Sequence, residues 1–90
     1  MKFVPGVVAT LAEEGGSPAG FRLQGVRPKS ALFILGLRNN DILTAINGHS
    51  LQNIDEALLA AGAAKFADRF RVDILRNGQR YSLYYRVSKF

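Results

Sequence analysis

Residues 36–51 read GLRNNDILTAINGHSL, and this stretch combines a turn, a short apolar run and a second turn. Gly36 and the pair Asn40-Asp41 mark the first turn, because Gly and Asn tolerate a left-handed backbone and Asp bonds its own backbone. Residues 42–46 are mostly apolar and partly β-branched, which predicts a strand buried on at least one face. Asn47-Gly48 is the strongest short turn dipeptide. The stretch therefore predicts a structural unit rather than a catalytic one.

Length and composition predict one domain over residues 1–90, with its core in residues 6–87. The apolar fraction, 48%, is that of a globular chain, and the absence of cysteine excludes disulfides and thiolate metal sites. No apolar run is long enough to span a bilayer, so a membrane anchor could exist only on a longer parent chain, from which we expect this domain to be excised. The net charge of +5 comes from 12 basic and 7 acidic residues spread along the chain. This spread predicts solvated strand faces and no nucleic-acid partner.

The residues before the 36–51 stretch predict a β-hairpin and a short helix. Residues 6–12 favour a strand, and residues 13–19 have the composition of a turn. Residues 20–26 alternate as a half-buried strand that pairs with the first. Ser30 is placed to cap a helix over residues 31–35, which is too short for any role but filling the core. The side chains expected to do so are Leu32, Phe33 and Leu35.

The residues after the stretch predict a longer helix and a terminal hairpin. Asn53 followed by Glu56 is a variant of the capping box and predicts a helix over residues 54–65. Its apolar stripe at helical spacing is Ile54, Leu58 and Ala61, with Ala57 and Ala64 beside it. Residues 70–75 and 79–87 alternate as two antiparallel strands joined by an Asn-Gly turn.

This order of elements resembles a bacterial PDZ domain, whose strand order is circularly permuted relative to the animal form. The matching residues are Gly20-Phe21-Arg22-Leu23, Val26-Arg27-Pro28-Lys29-Ser30, Gly36-Leu37, Asp41-Ile42, Ile46-Asn47-Gly48, Ala57-Leu58 and Arg76-Asn77-Gly78. They cover residues 20–87, and Asn40 stands where the family usually has glycine. The resemblance implies an α+β fold, a small and partly closed antiparallel β-sandwich or barrel with one short and one longer helix.

Within that family the chain is most similar to the periplasmic PDZ domain of the type II secretion C component, general secretion pathway protein C, an inner-membrane protein. The bulky residues after Ser30 and the ending Tyr84-Tyr85-Arg86-Val87 fit it better than they fit the HtrA-type proteases. The resemblance implies a non-catalytic module that recruits exported proteins or sister components in the periplasm. The alternatives are a regulatory PDZ domain of a periplasmic HtrA-type serine protease and an architectural module that pairs weakly with its own copy. A third is a binder of anionic surfaces or nucleic acid, which would need the arginines gathered on one face.

The resemblance also implies a partner groove between an exposed strand edge and the longer helix, in which a protein segment adds a strand. Its residues would be Gly6, Val7, Val8, Ala9 and Leu11 on the strand, and Ile54, Leu58 and Ala61 on the helix. The helix residues have an alternative role as core. The carboxylate-binding loop would lie near residues 3–6, where Pro5 removes one N–H and argues against capture of a free C-terminus.

The chemistry-bearing residues predict no enzyme, no metal and no cofactor. His49 is the only histidine and lies in a turn, so it has no second imidazole or thiolate with which to bind zinc. Asp41 is explained by its turn, and Asp55 and Glu56 by the start of a helix, where negative charge is favourable. No serine has the Gly-x-Ser-x-Gly context of a hydrolase, and the Gly15-Gly16 segment lacks phosphate-loop spacing.

Overall fold

The computed structural model describes residues 6–87, which form six strands and two helices. Their bounds are β1 Val8–Glu14, β2 Ser17–Gln24, α1 Ala31–Ile34, β3 Ile42–Ile46, β4 His49–Ser50, α2 Ile54–Ala64, β5 Arg69–Arg76 and β6 Gln79–Arg86. Within this part of the chain, neither helix has the length and apolar character needed to cross a membrane.

The β1–β2 hairpin is longer than the sequence predicts. Its turn is only Gly15-Gly16, not residues 13–19, and Glu14 pairs directly with Ser17. Both glycines have positive φ, which a two-residue hairpin turn of this kind requires. Of residues 13–19, only Gly15 and Gly16 form the turn, and the other residues belong to the ends of the two strands. As a result β1 begins and ends later than the predicted 6–12, and β2 begins before residue 20.

The strands form one antiparallel sheet in the order β1-β2-β3-β5-β6. On the side of β3 away from β5, β2 pairs with its first half and β4 with its second half. Residues 47–48 connect β3 to the short strand β4, where the sequence predicts that His49 lies in a turn. The described strands do not close on themselves, so the predicted partly closed barrel is an open sheet with β1 and β6 at its ends.

The short helix α1 begins as predicted and ends earlier. The Ser30 hydroxyl accepts a hydrogen bond from Phe33 N at 3.3 Å, which is the expected N-cap. Leu32 and Phe33 pack against the core, but the prediction that Leu35 also does so is wrong. Leu35 is the C-cap residue, and its side chain is 47% exposed.

Two side chains, Asn53 and Glu56, accept hydrogen bonds at the N-terminus of the longer helix α2. Asn53 Oδ1 accepts from Glu56 N at 2.8 Å, as the sequence predicts. The Glu56 carboxylate reaches back to Ser50 Oγ at 2.9 Å and to Gln52 N at 2.8 Å. Glu56 therefore ties the start of α2 to β4 as well as closing the cap.

The main core lies on one face of the sheet, beneath the two helices. Its largest fully buried apolar side chains are Phe21, Leu23 and Ile74. A smaller cluster of Ala12, Ile42 and Leu75 forms on the opposite face, with Ala19 packed against it. Gly20 is needed where β2 passes β3, because a Cβ there would lie 1.9 Å from the carbonyl oxygen of Leu43.

Candidate partner groove

The helix α2 carries two apolar stripes that face different surroundings. Ala57 and Ala60 pack on the core, and Ala60 is only 1% exposed. The predicted groove stripe remains at the surface, with Ile54 44% and Leu58 67% exposed. Since successive residues turn by about 100°, this second stripe points roughly 90° away from the first. The alternative that Leu58 is a core residue is therefore wrong.

Ala61 completes the exposed stripe. It lies one helical turn beyond Leu58, so the surface along this side of α2 is apolar over three successive contact positions. The small side chains of the other stripe allow α2 to approach the core closely, which is why the larger residues remain outside.

On β1, only part of the predicted groove set is available to a ligand through its side chains. Val7 and Ala9, which the resemblance places on the strand edge of the groove, are each 2% exposed, and their side chains belong to the core. Leu11 points to the same face of the strand as Ala9 but is 56% exposed, beyond the end of the core. Val8, on the other face, is 38% exposed, and Gly6 is an exposed turn residue.

The exposed residues of β1 and α2 border one shared core. Val7 and Ala9 from the β1 end, and Ala60 from α2, belong to the same buried cluster. β1 is also a terminal strand of the described sheet, so its outer side faces away from β2. A terminal strand beside an apolar helix face can accept an added strand and contact its side chains. Residues 3–5 of the expected carboxylate-binding loop lie outside the described part of the chain.

Solved structures with a similar fold include three of PDZ domains. The PDZ domain of EpsC from Vibrio cholerae matches with a TM-score of 0.69 and 18% identity, over 89% of this chain and 76% of that one. A second EpsC structure matches with a TM-score of 0.66 and 16% identity, over 96% and 99% of the two chains. The chain has the PDZ fold.

A third similar structure is the PDZ domain of the pullulanase C protein of the type II secretion system from Klebsiella pneumoniae, solved in complex with a fatty acid. It has a TM-score of 0.66 and 24% identity, over 90% of this chain and 84% of that one. No protein-family model and no curated protein matches the sequence. The resemblance to secretion PDZ domains predicted from the sequence is thus confirmed by the structures.

In this PDZ fold the turn before β3 is held by an ion pair that the sequence analysis does not predict. Asn40 has φ of +71°, as its left-handed assignment predicts. Asp41 is 1% exposed, and its carboxylate accepts from Arg38 N at 2.8 Å and from Arg76 at 2.9 and 2.7 Å. The hydrogen bond to Asp41 raises the pKa of the Arg76 guanidinium above its ordinary value, while partial burial opposes this.

The register of β3 with β5 explains the Asp41–Arg76 ion pair. Ile42 pairs with Leu75, so antiparallel geometry places the preceding Asp41 beside the following Arg76. Arg76 also donates to the carbonyl oxygen of Gly36 at 2.7 Å, which fixes the residue that follows α1. A prediction that had aligned the predicted strand 42–46 with 70–75 could have found this contact.

The predicted Asn47-Gly48 turn is confirmed and is tied to β5. Both residues have positive φ, +51° and +81°. Asn47 Oδ1 accepts from Arg71 N at 2.6 Å, and Asn47 Nδ2 donates to Arg69 O at 3.2 Å. The asparagine therefore serves the sheet as well as the turn.

The ionisable residues considered as catalytic candidates are exposed or have structural roles in this fold. His49 is an exposed residue of β4 rather than of a turn, Asp55 is exposed, and Glu56 is used in the helix cap. Among residues 6–87, no three His, Cys, Asp or Glu side chains come close enough together to hold a metal ion. That the domain is not an enzyme and takes no cofactor stays a prediction.

Proposed function

We propose that this domain is a non-catalytic protein-binding module of the type II secretion machinery. It holds an extended segment of an exported protein or of a sister component between β1 and α2. Its place in the cell is the periplasm, on a parent protein anchored in the inner membrane. The observation that carries the proposal is the exposed apolar stripe of α2, a helix that packs on the same core as the terminal strand β1.

The spacing of the α2 stripe suits a bound strand. Ile54 and Leu58 are separated by one helical turn, about 6 Å along the axis. Alternate side chains of an extended strand are about 6.8 Å apart. A segment with apolar residues at alternate positions can therefore place one side chain at each turn of α2.

The similar solved structures support the secretion context over the protease alternative. Those described above are domains of type II secretion proteins, and none is a protease domain. A regulatory PDZ domain of an HtrA-type protease remains the second candidate, since its binding chemistry would be the same. A fatty acid is a second ligand class to test, because the Klebsiella domain was solved in complex with one.

The matched pair Leu58→Lys and Leu59→Lys tests the groove. Leu58 is 67% and Leu59 73% exposed, so both variants should melt close to the wild type. Leu59 lies about 100° further round the helix, away from the groove stripe. In NMR titrations with exported-protein segments, sister components or a fatty acid, Leu58→Lys should weaken binding by about tenfold or more, because the lysine charge would be desolvated.

Leu59→Lys should bind like the wild type, and Ala61→Glu should behave like Leu58→Lys. Equal binding by all three variants would place the ligand elsewhere and reject the groove. A wild type that captures only the fatty acid would assign the groove to lipid. A wild type that binds none of the probes would reject recruitment and leave assembly as the role.

A further inference from the structure

The arginines that are scattered along the sequence are gathered on one face of the terminal hairpin. Arg69 pairs directly with Arg86, Arg71 with Tyr84, and Leu75 with Arg80. Cross-strand partners share a face, and residues alternate along each strand. The four arginines of this set, Arg69, Arg71, Arg80 and Arg86, therefore project from one side of β5 and β6, and we call it the arginine face.

The arginine face is on the side of the sheet opposite the main core and α2. Val72, Ile74 and Leu83 alternate with its residues and pack towards the core. Arg22 extends the same face to β2, because it pairs with Ile42, which in turn pairs with Leu75. The candidate partner groove and the arginine face thus share no residue.

The charge on the arginine face is poorly balanced. Its one acidic side chain on the two strands, Asp73, is already engaged by Arg71 at 3.4 Å and by Ser82 Oγ at 2.7 Å. Among residues 6–87, the guanidinium groups of Arg69, Arg80 and Arg86 make no ion pair or hydrogen bond. Solvated protein surfaces usually mix the two signs of charge, whereas here two arginines lie directly opposite each other, which is unfavourable for the fold.

The arginine face is concave where it meets the β1–β2 hairpin. A cleft of about 610 Å³ opens there, and its polar lining includes Arg71, Arg80, Ser50, Gln52, Ser82 and the carboxylates of Glu14 and Asp73. Of the arginine face, Arg71 and Arg80 line the cleft, whereas Arg69 and Arg86 lie at the other end of the hairpin. Tyr84, 75% exposed, stands among the arginines. A flat bilayer surface cannot enter such a cleft, but a protruding peptide segment can. Guanidinium groups beside hydroxyl and amide groups recognise carboxylates by charge-assisted hydrogen bonds.

We propose that the arginine face is a second docking surface, which binds an acidic segment of a partner protein. The acidic side chains would pair with Arg69, Arg80 and Arg86, so the segment would run along the two strands, with one end in the cleft at Arg80. The groove contributes nothing to this contact. The domain can therefore hold two protein segments at once, one apolar and one acidic.

The test uses a short oligo-glutamate peptide as the probe and an oligo-glutamine peptide as its neutral control. NMR titration of the domain with oligo-glutamate should shift the amides of β5 and β6 and leave those of α2 in place. Binding should weaken as salt is raised, because exposed charges are screened. The variant Arg69→Gln/Arg86→Gln should bind roughly threefold to tenfold more weakly, as two exposed ion pairs are lost.

A charge-matched control is Arg27→Gln/Lys29→Gln, which removes the same net charge from exposed residues outside the arginine face. It should bind oligo-glutamate like the wild type, and an equal loss would show mere attraction to net charge. If Arg69→Gln/Arg86→Gln melts early, Arg80→Gln provides the same comparison from the other end of the hairpin.

Two further outcomes would overturn the proposal. One is oligo-glutamate binding that is unchanged in both arginine-face variants. The other is binding to phosphatidylglycerol vesicles, but not to oligo-glutamate, that is lost in those variants, since this would make the occupant a membrane. Leu58→Lys should retain oligo-glutamate binding in full, so failure of the groove and failure of the arginine face are separable.

Discussion

Asp41 is almost wholly buried, yet its carboxylate has a partner for each oxygen. Arg76 bonds both oxygens, and Arg38 N bonds one of them. A buried charge is tolerated only when it is paired in this way, and loss of one partner leaves the other charge uncompensated. The contact joins the turn before β3 to the end of β5, so a single residue connects two parts of the chain that are distant in sequence.

Asp41→Asn should lower the free energy of unfolding by about 3 kcal/mol, because the partly buried Arg76 loses its counterion and Arg38 N loses a charged acceptor at the buried Asp41 position. The matched control is Asp73→Asn, which breaks the Arg71–Asp73 pair, whose side chains are 44% and 27% exposed. That change should cost less than about 1 kcal/mol. Urea unfolding of both variants makes the comparison, and equal losses would show that burial of Asp41 contributes nothing.

Tyr85 should make the stability of the domain depend on alkaline pH. Its hydroxyl donates to the carbonyl oxygen of Leu35, and burial raises the pKa of the phenol, against the opposing charge of Arg76. The folded protein therefore holds this proton more tightly than the unfolded chain does. The protonated Tyr85 phenol therefore stabilises the folded protein. This stabilisation is complete below the ordinary tyrosine pKa of about 10 and is lost as the pH rises through the raised pKa of Tyr85 in the folded protein.

Thermal melting of the wild type and of Tyr85→Phe across this alkaline range measures the effect. The wild type should lose stability above about pH 10 more steeply than Tyr85→Phe, which has no phenol to ionise at this position. Parallel profiles would show that Tyr85 plays no part in the pH dependence.

At the level of elements, local signals predicted the turns and helix starts well. Asn47-Gly48, Ser30 and Asn53 act through their nearest neighbours, so their roles are readable from a few residues. The helix stripe that packs on the core was not predictable in this way. Both alanines and larger apolar residues occur around α2, so the sequence of the helix alone does not show which of them face the core. The packing of α2 on the rest of the domain places the alanines there. The exposed groove stripe is therefore a tertiary feature.

Gly62 offers a prediction confined to α2. It lies inside the helix, and a Cβ added there meets no atom within 4 Å. Gly62→Ala should stabilise the domain by about 1 kcal/mol, because alanine restricts the unfolded chain and favours the helix. Gly36→Ala is the control, since Gly36 has φ of +96°. It should destabilise by about 1–2 kcal/mol in the same chemical denaturation assay. A loss in Gly62→Ala would contradict the helix assignment.

For the molecule as a whole, the β1–β2 hairpin joins the rest of the sheet through a short contact. β2 pairs with β3 only at Phe21–Leu43 and Arg22–Ile42. Backbone bonds from Leu23 N to Asp41 O and from Asn40 N to Leu23 O continue the contact past the end of β3. The candidate groove lies on one side of this junction and depends on it for the position of β1.

Gly20→Ala should therefore be among the most damaging small substitutions, lowering the free energy of unfolding by about 3 kcal/mol or more through overpacking. The new methyl would collide with the carbonyl oxygen of Leu43, which cannot move without disturbing β3. Gly16→Ala tests the same change at an open turn with φ of +82° and should cost only about 1–2 kcal/mol. If Gly20→Ala were as stable as Gly16→Ala, the backbone where β2 meets β3 would have to move to accommodate the methyl group at little cost, and the prediction would be wrong.

The gathering of the arginines is the whole-molecule feature that the sequence conceals most completely. Each arginine alternates with an apolar or polar neighbour in its own strand, as any solvated strand would show. Their coincidence on one face arises from the register of β5 with β6, which brings Arg69 opposite Arg86. The basic residues are dispersed along the sequence, as predicted, but the prediction that they are also dispersed over the folded surface is wrong.

The two Asn-Gly turns differ in how freely their asparagines can rotate, and this bears on chemical ageing. An asparagine before glycine cyclises to a succinimide when its amide can swing towards the next backbone nitrogen, and hydrolysis then leaves aspartate or isoaspartate. Asn47 is held by Arg69 and Arg71, but the exposed Asn77 side chain makes no hydrogen bond within residues 6–87. On long storage, deamidation should therefore begin at Asn77 and place a new carboxylate at the tip of the hairpin that carries the arginines.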